Sequence, residues 1–407
     1  MTLTKRAIVA GHICLDIIPG LEDLPAGQFI NLLKPGHLIN IGEAHLSTGG
    51  PVSNTGLALH TLGVPTWLVA KVGEDFFGRA ILQILENYDH RLTDGIKVES
   101  QAHTSYTVII NSPGMDRIFL HYVGANDAFY TSDIDYRLVA ESDLFHFGYP
   151  PVMKTMYTSG GRELAKVFRL AKKTGVTTSL DMAFPDPASN AAQVDWREIL
   201  SAVLPSVDIF APSIEELLFL LHRPLYANMV KSSGTNDILP EITPELLGEL
   251  SQELLNFGAK IMLLKLGYRG AYLRTSNSSA LQNLGRAFSN NQEEWAEQEL
   301  WAPCFDVQVV GTTGSGDATI SGLLSAILRG YSPRDALTAA VAVGACNVEA
   351  PDALSGLKPW DETMQRVASG WMRQPLDLTR EGWMLEPESG LWVSPISKRS
   401  FQVSDGK

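Results

Sequence analysis

The residues with the clearest chemical potential lie in Val309-Val310-Gly311-Thr312-Thr313-Gly314-Ser315-Gly316-Asp317-Ala318-Thr319-Ile320-Ser321-Gly322. Here an apolar strand is expected to run into a loop of small residues, followed by Ala, Ile and Leu at helical spacing up to Arg329. Small residues let a backbone approach a ligand closely, and the N–H groups that open the following helix favour anionic oxygens. The outline is that of a phosphate cradle. Asp317 could take a proton from a hydroxyl attacking a phosphoryl group, or could act as an N-cap of the helix. Spacing alone leaves both open. The Walker A pattern is absent and the order of glycines differs from GxGxxG, so a nucleotide would need another mode of binding.

A cradle of this kind needs a rigid frame. Short β-branched runs alternate with longer amphipathic stretches, which predicts βαβ units, a parallel sheet and an α/β class. Strands are expected over Ala7 to Cys14, Thr66 to Val72, Leu144 to Phe147, Thr177 to Asp181, Ile209 to Ala211 and Lys260 to Leu266. Helices are expected over Ser53 to Leu62, Gly78 to Tyr88, Gly161 to Lys173, Ile214 to Leu221 and Pro244 to Phe257. Two segments break the rhythm. Pro19 to Ser47 is punctuated by Pro and Gly, and Thr104 to Val123 alternates around the turn signal Ser112-Pro113-Gly114, so both suggest a small β layer outside the main sheet. His222 to Ile242 and Ser276 to Ala302 are polar with little periodicity and read as surface insertions. The tail carries Trp371, Trp383 and Trp392, which argues against disorder. These rings pack on their own chain or cover a neighbouring subunit, so a homodimer stays open.

Composition narrows the function classes. The 407 residues include 45 acidic and 32 basic side chains, a formal charge of −13, with no basic cluster of the kind nucleic acid requires. A nucleic-acid partner is not expected. The three cysteines, Cys14, Cys304 and Cys346, show neither a disulfide framework nor CxxC spacing, which fits a reducing cytoplasm. The run Ala7 to Ile18 follows Lys5-Arg6 like a signal peptide, but His12 and Asp16 interrupt it. No membrane span is expected, nor a dedicated zinc enzyme, because the histidines show no HExxH spacing. The absence of GxSxG sets aside the simplest hydrolase reading.

Gly311 to Asp317 resembles the C-terminal signature of the PfkB, or ribokinase-like, carbohydrate kinase family, usually written DTTGAGD. A second signature of that family is matched by Ser47-Thr48-Gly49-Gly50-Pro51-Val52-Ser53-Asn54-Thr55-Gly56, continuing through Leu62-Gly63 to Val72-Gly73-Glu74-Asp75-Phe76-Phe77-Gly78. The resemblance covers about residues 5 to 368. It implies a three-layer αβα sandwich with a mostly parallel central sheet and a small β lid. The core would comprise 1–13, 48–98 and 126–368, the lid 14–47 and 99–125, and the tail 369–407 a C-terminal extension.

The resemblance also implies transfer of the γ-phosphoryl group of ATP to a hydroxyl of a small sugar or sugar acid. Asp317 falls on the family's general base, and Gly314, Ser315 and Gly316 on its anion hole. Asp16 would bind sugar hydroxyls with Gly49, Gly50 and Asn54, and Asn126 in a lid-return segment would join them. The local alternatives are a strand-end turn for Asp16 and a helix cap for Asn54. In Ala211-Pro212-Ser213-Ile214-Glu215-Glu216, Glu216 matches the acid that organises Mg2+ through water, although Ser213 and Glu216 also have capping-box spacing. Lys265, Gly267 and Gly270 match the strand and turn beside the nucleotide, or a plain hairpin turn. Thr312 and Asn347 complete the nucleotide set, with a polar helix terminus as the alternative for Asn347. Gly311 replaces the usual aspartate, so the charged ligand for a monovalent cation is missing and potassium activation is not expected. Two rival readings follow. One is a nucleoside kinase of the same fold with an aromatic slot from Phe119, Tyr122, Phe129 and Tyr149. The other is a non-catalytic sugar- or nucleotide-binding regulator.

Overall fold

The computed structural model describes residues 3–21, 29–112, 117–235, 237–288, 292–395 and 397. Pro113 and Gly114 of the expected turn lie outside them. The strands are β1 (Ala7–Gly11), β2 (Cys14–Gly20), β3 (Gly42–Gly49), β4 (Thr66–Gly73), β5 (Ile96–Glu99), β6 (Tyr106–Ile110), β7 (Ile118–Tyr122) and β8 (Leu144–Gly148). They continue with β9 (Thr177–Leu180), β10 (Ile209–Phe210), β11 (Ile261–Lys265), β12 (Ala271–Thr275), β13 (Glu299–Ala302), β14 (Met384–Glu386) and β15 (Leu391–Val393).

Eleven strands form the main sheet, ordered β14-β15-β13-β12-β11-β10-β9-β8-β1-β4-β5. From β11 to β5 all neighbours are parallel, and from β12 outward they are antiparallel. Side chains of β1 alternate between two cores: Ala7 and Val9 pack on one face of the sheet, Ile8 and Ala10 on the other. Burial on both faces explains why this strand reads as an unbroken apolar run. Phe168, from the helix Arg162–Lys173, meets Phe145 and Phe147 of β8 edge-on. The architecture is an α/β sandwich.

A second sheet, ordered β3-β2-β6-β7, is the small β layer, with β7 exposed along its whole length. The stretch expected as one strand from Ala7 to Cys14 is in fact divided between the two sheets. Gly11 makes the break, with φ of 126° and its Cα against the backbone of Gly148, where a Cβ would collide. Hydrophobicity could not reveal this, because both halves are buried.

Three further expectations need correction. Ser276 to Ala302 is not a surface insertion, because it ends in β13 and buries Leu281, Leu284 and Trp295 completely or nearly so. His222 to Ile242 contains the helix Arg223–Ser233 and buries Met229, Ile238, Leu239 and Ile242. In both, a few large anchors at irregular spacing hold otherwise polar chain, which periodicity misses. Val309 and Val310 form no strand and are 60% and 55% exposed. Their β-branched side chains suggested a sheet position, but the sheet edge there is taken by the tail.

The tail completes the main sheet through β14 and β15. Trp383 packs against Tyr272 and Trp301, at ring-centroid distances of 6.2 and 6.5 Å, and Trp371 stacks on Phe305 at 4.4 Å. Removing a buried aromatic leaves a cavity, at a cost of about 3–5 kcal/mol. Trp383→Ala is therefore expected to lower the unfolding free energy by that amount in urea titration, and a change within experimental error would show that the tail is not part of the core.

Candidate active site

The chemically suited side chains follow the carboxyl ends of the parallel strands, where ligands gather in open α/β sheets. His12 follows β1, Tyr149 follows β8, Asp181 follows β9, and Lys265 ends β11. The helix Pro51–Thr61 and the helix Ser315–Leu328 converge on the same edge. They meet at Asp317. Its Oδ2 accepts hydrogen bonds from Asn54 Nδ2 and Tyr149 Oη, both at 3.0 Å, and its Oδ1 accepts one from Thr55 Oγ1 at 3.1 Å.

Gly314, with φ of 71°, is the N-cap of the second helix, and Asp317 is its third residue rather than its cap. Gly314, Ser315 and Gly316 line a cavity of about 1000 Å³ that ends on Asp317 and Tyr149. Burial raises the Asp317 pKa, while the Lys265 charge and the three hydrogen-bond donors oppose the rise. Tyr149 has its phenol pKa pushed far up by burial and then by the nearby carboxylates, so it donates at neutral pH. It also holds φ of 66°, an uncommon value for a residue with a Cβ.

Lys265 balances the charge. Its Nζ bonds Asp181 Oδ1 at 2.7 Å and lies beside Gly316. Burial alone would lower its pKa, but Asp181, Glu216 and Asp317 together outweigh this and raise it. Asp181 is fully buried, and its Oδ2 has no hydrogen-bond partner among the described residues. Burial raises its pKa, with Lys265 opposing and Glu216 and Asp317 adding to the rise. Glu216 Oε2 accepts from the Ser213 N–H at 2.7 Å and Ser213 Oγ accepts from the Glu216 N–H, so the capping box is formed. Glu216 lines this cavity and Asp181 lies buried against Lys265, and carboxylate oxygens of this kind are a chemical match for a hard divalent cation that keeps most of its waters.

The remaining expected residues divide. Gly267, Gly270 and Thr312 line the cavity, and Thr312 Oγ1 is hydrogen-bonded by Arg117 from the small sheet's side. Asn347 is fully buried behind the wall, with Nδ2 bonded to the Ala353 carbonyl. Asp16 fills the space over Gly49 that a side chain there would need, and Gly50, with φ of 84°, packs on His12. His12 in turn lies 6.3 Å from the Tyr149 ring, which links this group to Asp317. Asn126 is turned away from the cavity: its amide bonds the N–H and carbonyl of Ile13 and the Val123 carbonyl. The four aromatics do not converge on one slot, since Phe129 packs in the core with Phe147 and Tyr122 lies against Tyr106. Sequence reasoning missed Thr55, Asp181 and the donor role of Tyr149. Asp181 carried the one usable signal, a carboxylate at the end of a buried strand. The tail residues Gln374, Pro375 and Leu376 also line the cavity.

Fold and site place a buried, hydrogen-bonded carboxylate beside a large cavity at the carboxyl edge of an α/β sheet. Residues 5–360 match the pfkB family carbohydrate kinase model, and the chain belongs to that family. It is 27% identical over 320 residues to "Probable fructokinase-6, chloroplastic" of Arabidopsis thaliana, covering 76% of this chain and 71% of that one. It is 26% identical over 321 residues to 2-dehydro-3-deoxygluconokinase of Thermoproteus tenax, covering 78% and 84%. The fold is similar to that of Arabidopsis thaliana ribokinase complexed with ribose and ATP, with a TM-score of 0.65, 21% identity, and 89% and 98% of the two chains covered. Among the described residues, no helix is long and apolar enough to cross a membrane.

A donor to a carboxylate stabilises its charged form, so removing one raises the pKa. Tyr149→Phe is expected to move the Asp317 carboxyl titration to higher pH, followed by carbon-13 NMR against Asp317→Asn as the assignment control. An unmoved titration would separate the phenol from the carboxylate energetically.

Proposed function

We propose that the chain phosphorylates a hydroxyl of a small sugar or sugar acid at the expense of ATP, with Asp317 as general base. The observation that carries this reading is the burial of Asp317 at a helix N-terminus, beside both the cavity and Asn54. A carboxylate offers about four acceptor positions, and Asn54, Tyr149 and Thr55 use three of them. The fourth, on Oδ1, takes the hydroxyl proton as the acceptor oxygen bonds to the γ-phosphorus. The bond from that phosphorus to the β,γ-bridging oxygen breaks, and ADP leaves with the electron pair.

Each remaining residue has a defined part. N–H groups of Gly314, Ser315 and Gly316 meet the charge on the transferring group, and Lys265 adds a fixed positive charge nearby. Asp16, Gly49, Gly50 and Asn54 orient the acceptor, whose donor hydroxyls suit the unpartnered Asn54 Oδ1. Asn126 positions the loop at Ile13 rather than touching the acceptor. Gly267, Gly270 and Thr312 line the nucleotide side, and Asn347 supports its wall. Mg2+ bound through Glu216 and Asp181 would neutralise charge on the phosphates. At Gly311 a side chain would press on the carbonyls of Ala350 and Pro351, which accords with a site lacking the monovalent-cation carboxylate.

General-base catalysis typically contributes about 10²- to 10⁴-fold. Asp317→Asn is expected to lose that factor in kcat while binding of ATP, measured by calorimetry, persists; near-normal turnover would remove Asp317 from the role. A coupled ADP-release assay across sugars, sugar acids and nucleosides identifies the acceptor class, and silence across the panel would favour the regulator reading. Losing a charged hydrogen-bond partner costs about 1.5–3 kcal/mol. Asp16→Ala should therefore raise the acceptor KM by about 10- to 100-fold and leave the KM for ATP unchanged, whereas equal effects on both would place Asp16 outside the acceptor site.

A further inference from the structure

At the junction of the two sheets, His12, Cys14 and His121 bring three ligating atoms within 4.8 Å of one another. The phosphoryl-transfer reading gives this trio no work. His12 Nε2 faces His121 Nε2 at 3.3 Å. For two imidazoles on one tetrahedral ion, with metal–nitrogen bonds of about 2.0–2.1 Å, the expected nitrogen separation is also about 3.3 Å. His121 Nδ1 lies 3.0 Å from Thr107 Oγ1, an outer partner that fixes the ring and leaves Nε2 directed at the cluster. His12 is 3% exposed and its Nδ1 has no hydrogen-bond partner among the described residues, where the ring's polar contact is the opposing imidazole.

The donor chemistry points the same way. Cys14 Sγ lies 3.3 Å from Asp16 Oδ1. A thiolate and this carboxylate would together present two negative charges, which a divalent cation would neutralise. The donor set of two imidazoles and one thiolate selects a borderline-soft ion over Mg2+. Access is open, because His121 stands on exposed β7. The frame is fixed, because the His12 N–H bonds the Gly148 carbonyl and the His12 carbonyl accepts from the Val52 N–H.

We propose that His12, Cys14 and His121 form a binding site for Zn2+ or a similar divalent transition-metal ion, with a fourth position open to water. Binding forms one bond each from His12 Nε2, His121 Nε2 and Cys14 Sγ, and releases the Cys14 proton to solvent. The ion then ties β7 of the small sheet to the loop between β1 and β2, so that metal availability governs how firmly the lid is held to the core.

The full chain, freed of metal by a chelator, is titrated with Co2+. The expected result is one equivalent bound, with tetrahedral d–d bands and a sulfur-to-cobalt charge-transfer band, both abolished by Zn2+. Cys14→Ser should lose the charge-transfer band. His121→Ala, an exposed change that leaves the fold intact, should weaken Co2+ binding at least about 10-fold and cancel any Zn2+-dependent rise in Tm. A wild-type titration without the sulfur band overturns the proposal, as does a band that survives His121→Ala at undiminished affinity. Because the readouts are spectra and Tm, they are independent of whether sugar is phosphorylated.

Discussion

A carboxylate held almost out of contact with water is tolerated only where donors and a counter-charge replace its hydration. Asp317 meets that condition with groups from four separate places. Asn54 and Thr55 come from the helix Pro51–Thr61, Tyr149 from the end of β8, and the field of Lys265 from the end of β11. The helix N-terminus supplies the fifth contribution, a partial positive charge. None of these elements can shift far without stranding a buried charge. The requirement therefore reaches backward into the fold. It fixes the approach of the two helices, helped by the Ser321 hydroxyl, which bonds the Thr55 carbonyl at 3.2 Å.

The same constraint accounts for the surplus of acid around the cavity. Asp181, Glu216 and Asp317 all influence one ammonium group, so the site carries more negative charge than Lys265 alone can balance. Asp181 Oδ2 is the plainest sign, a buried carboxylate oxygen with no donor among the described residues. Left alone, such a group would tend to take up a proton. Three carboxylates beside a single ammonium thus set the electrostatics of this part of the fold.

Much of this was legible in the sequence, and the reasons for success and failure differ by residue. Asp317 and Asn54 were readable because each sits in a run of glycines and small residues whose density has few structural explanations. The α/β class followed from buried parallel strands, which need uniform apolar runs. Tyr149 was unreadable as a donor because nothing local marks an aromatic that will adopt positive φ and turn its hydroxyl toward a residue 168 positions away. Asn126 lies in a segment the sequence marks, but its amide is held by the Ile13 peptide, a contact across 113 positions that nothing local signals. Strands at a sheet edge are the hardest class. β14 and β15 are three residues each, and what recruits them is tertiary: Trp383 and Trp392 complete an apolar face already begun by Tyr272 and Trp301.

The division of the first apolar run between two sheets explains why chemistry gathers at that point. A chain leaving β1 must turn sharply to start β2, and the turn presents His12 while Asp16 follows on the lid strand. Gly11 permits the turn through its positive φ and by lying flat on the Gly148 carbonyl of the neighbouring strand, while Gly148 in turn leaves room for the Pro51 ring. A larger residue at Gly11 would press on the β8 backbone, and one at Gly148 on the Pro51 ring that opens the helix carrying Asn54 and Thr55. The small sheet therefore starts directly from β1, which is flanked in the main sheet by β8 and β4. Any displacement of β2 is therefore felt within a few residues of the end of β1 rather than through a remote linker.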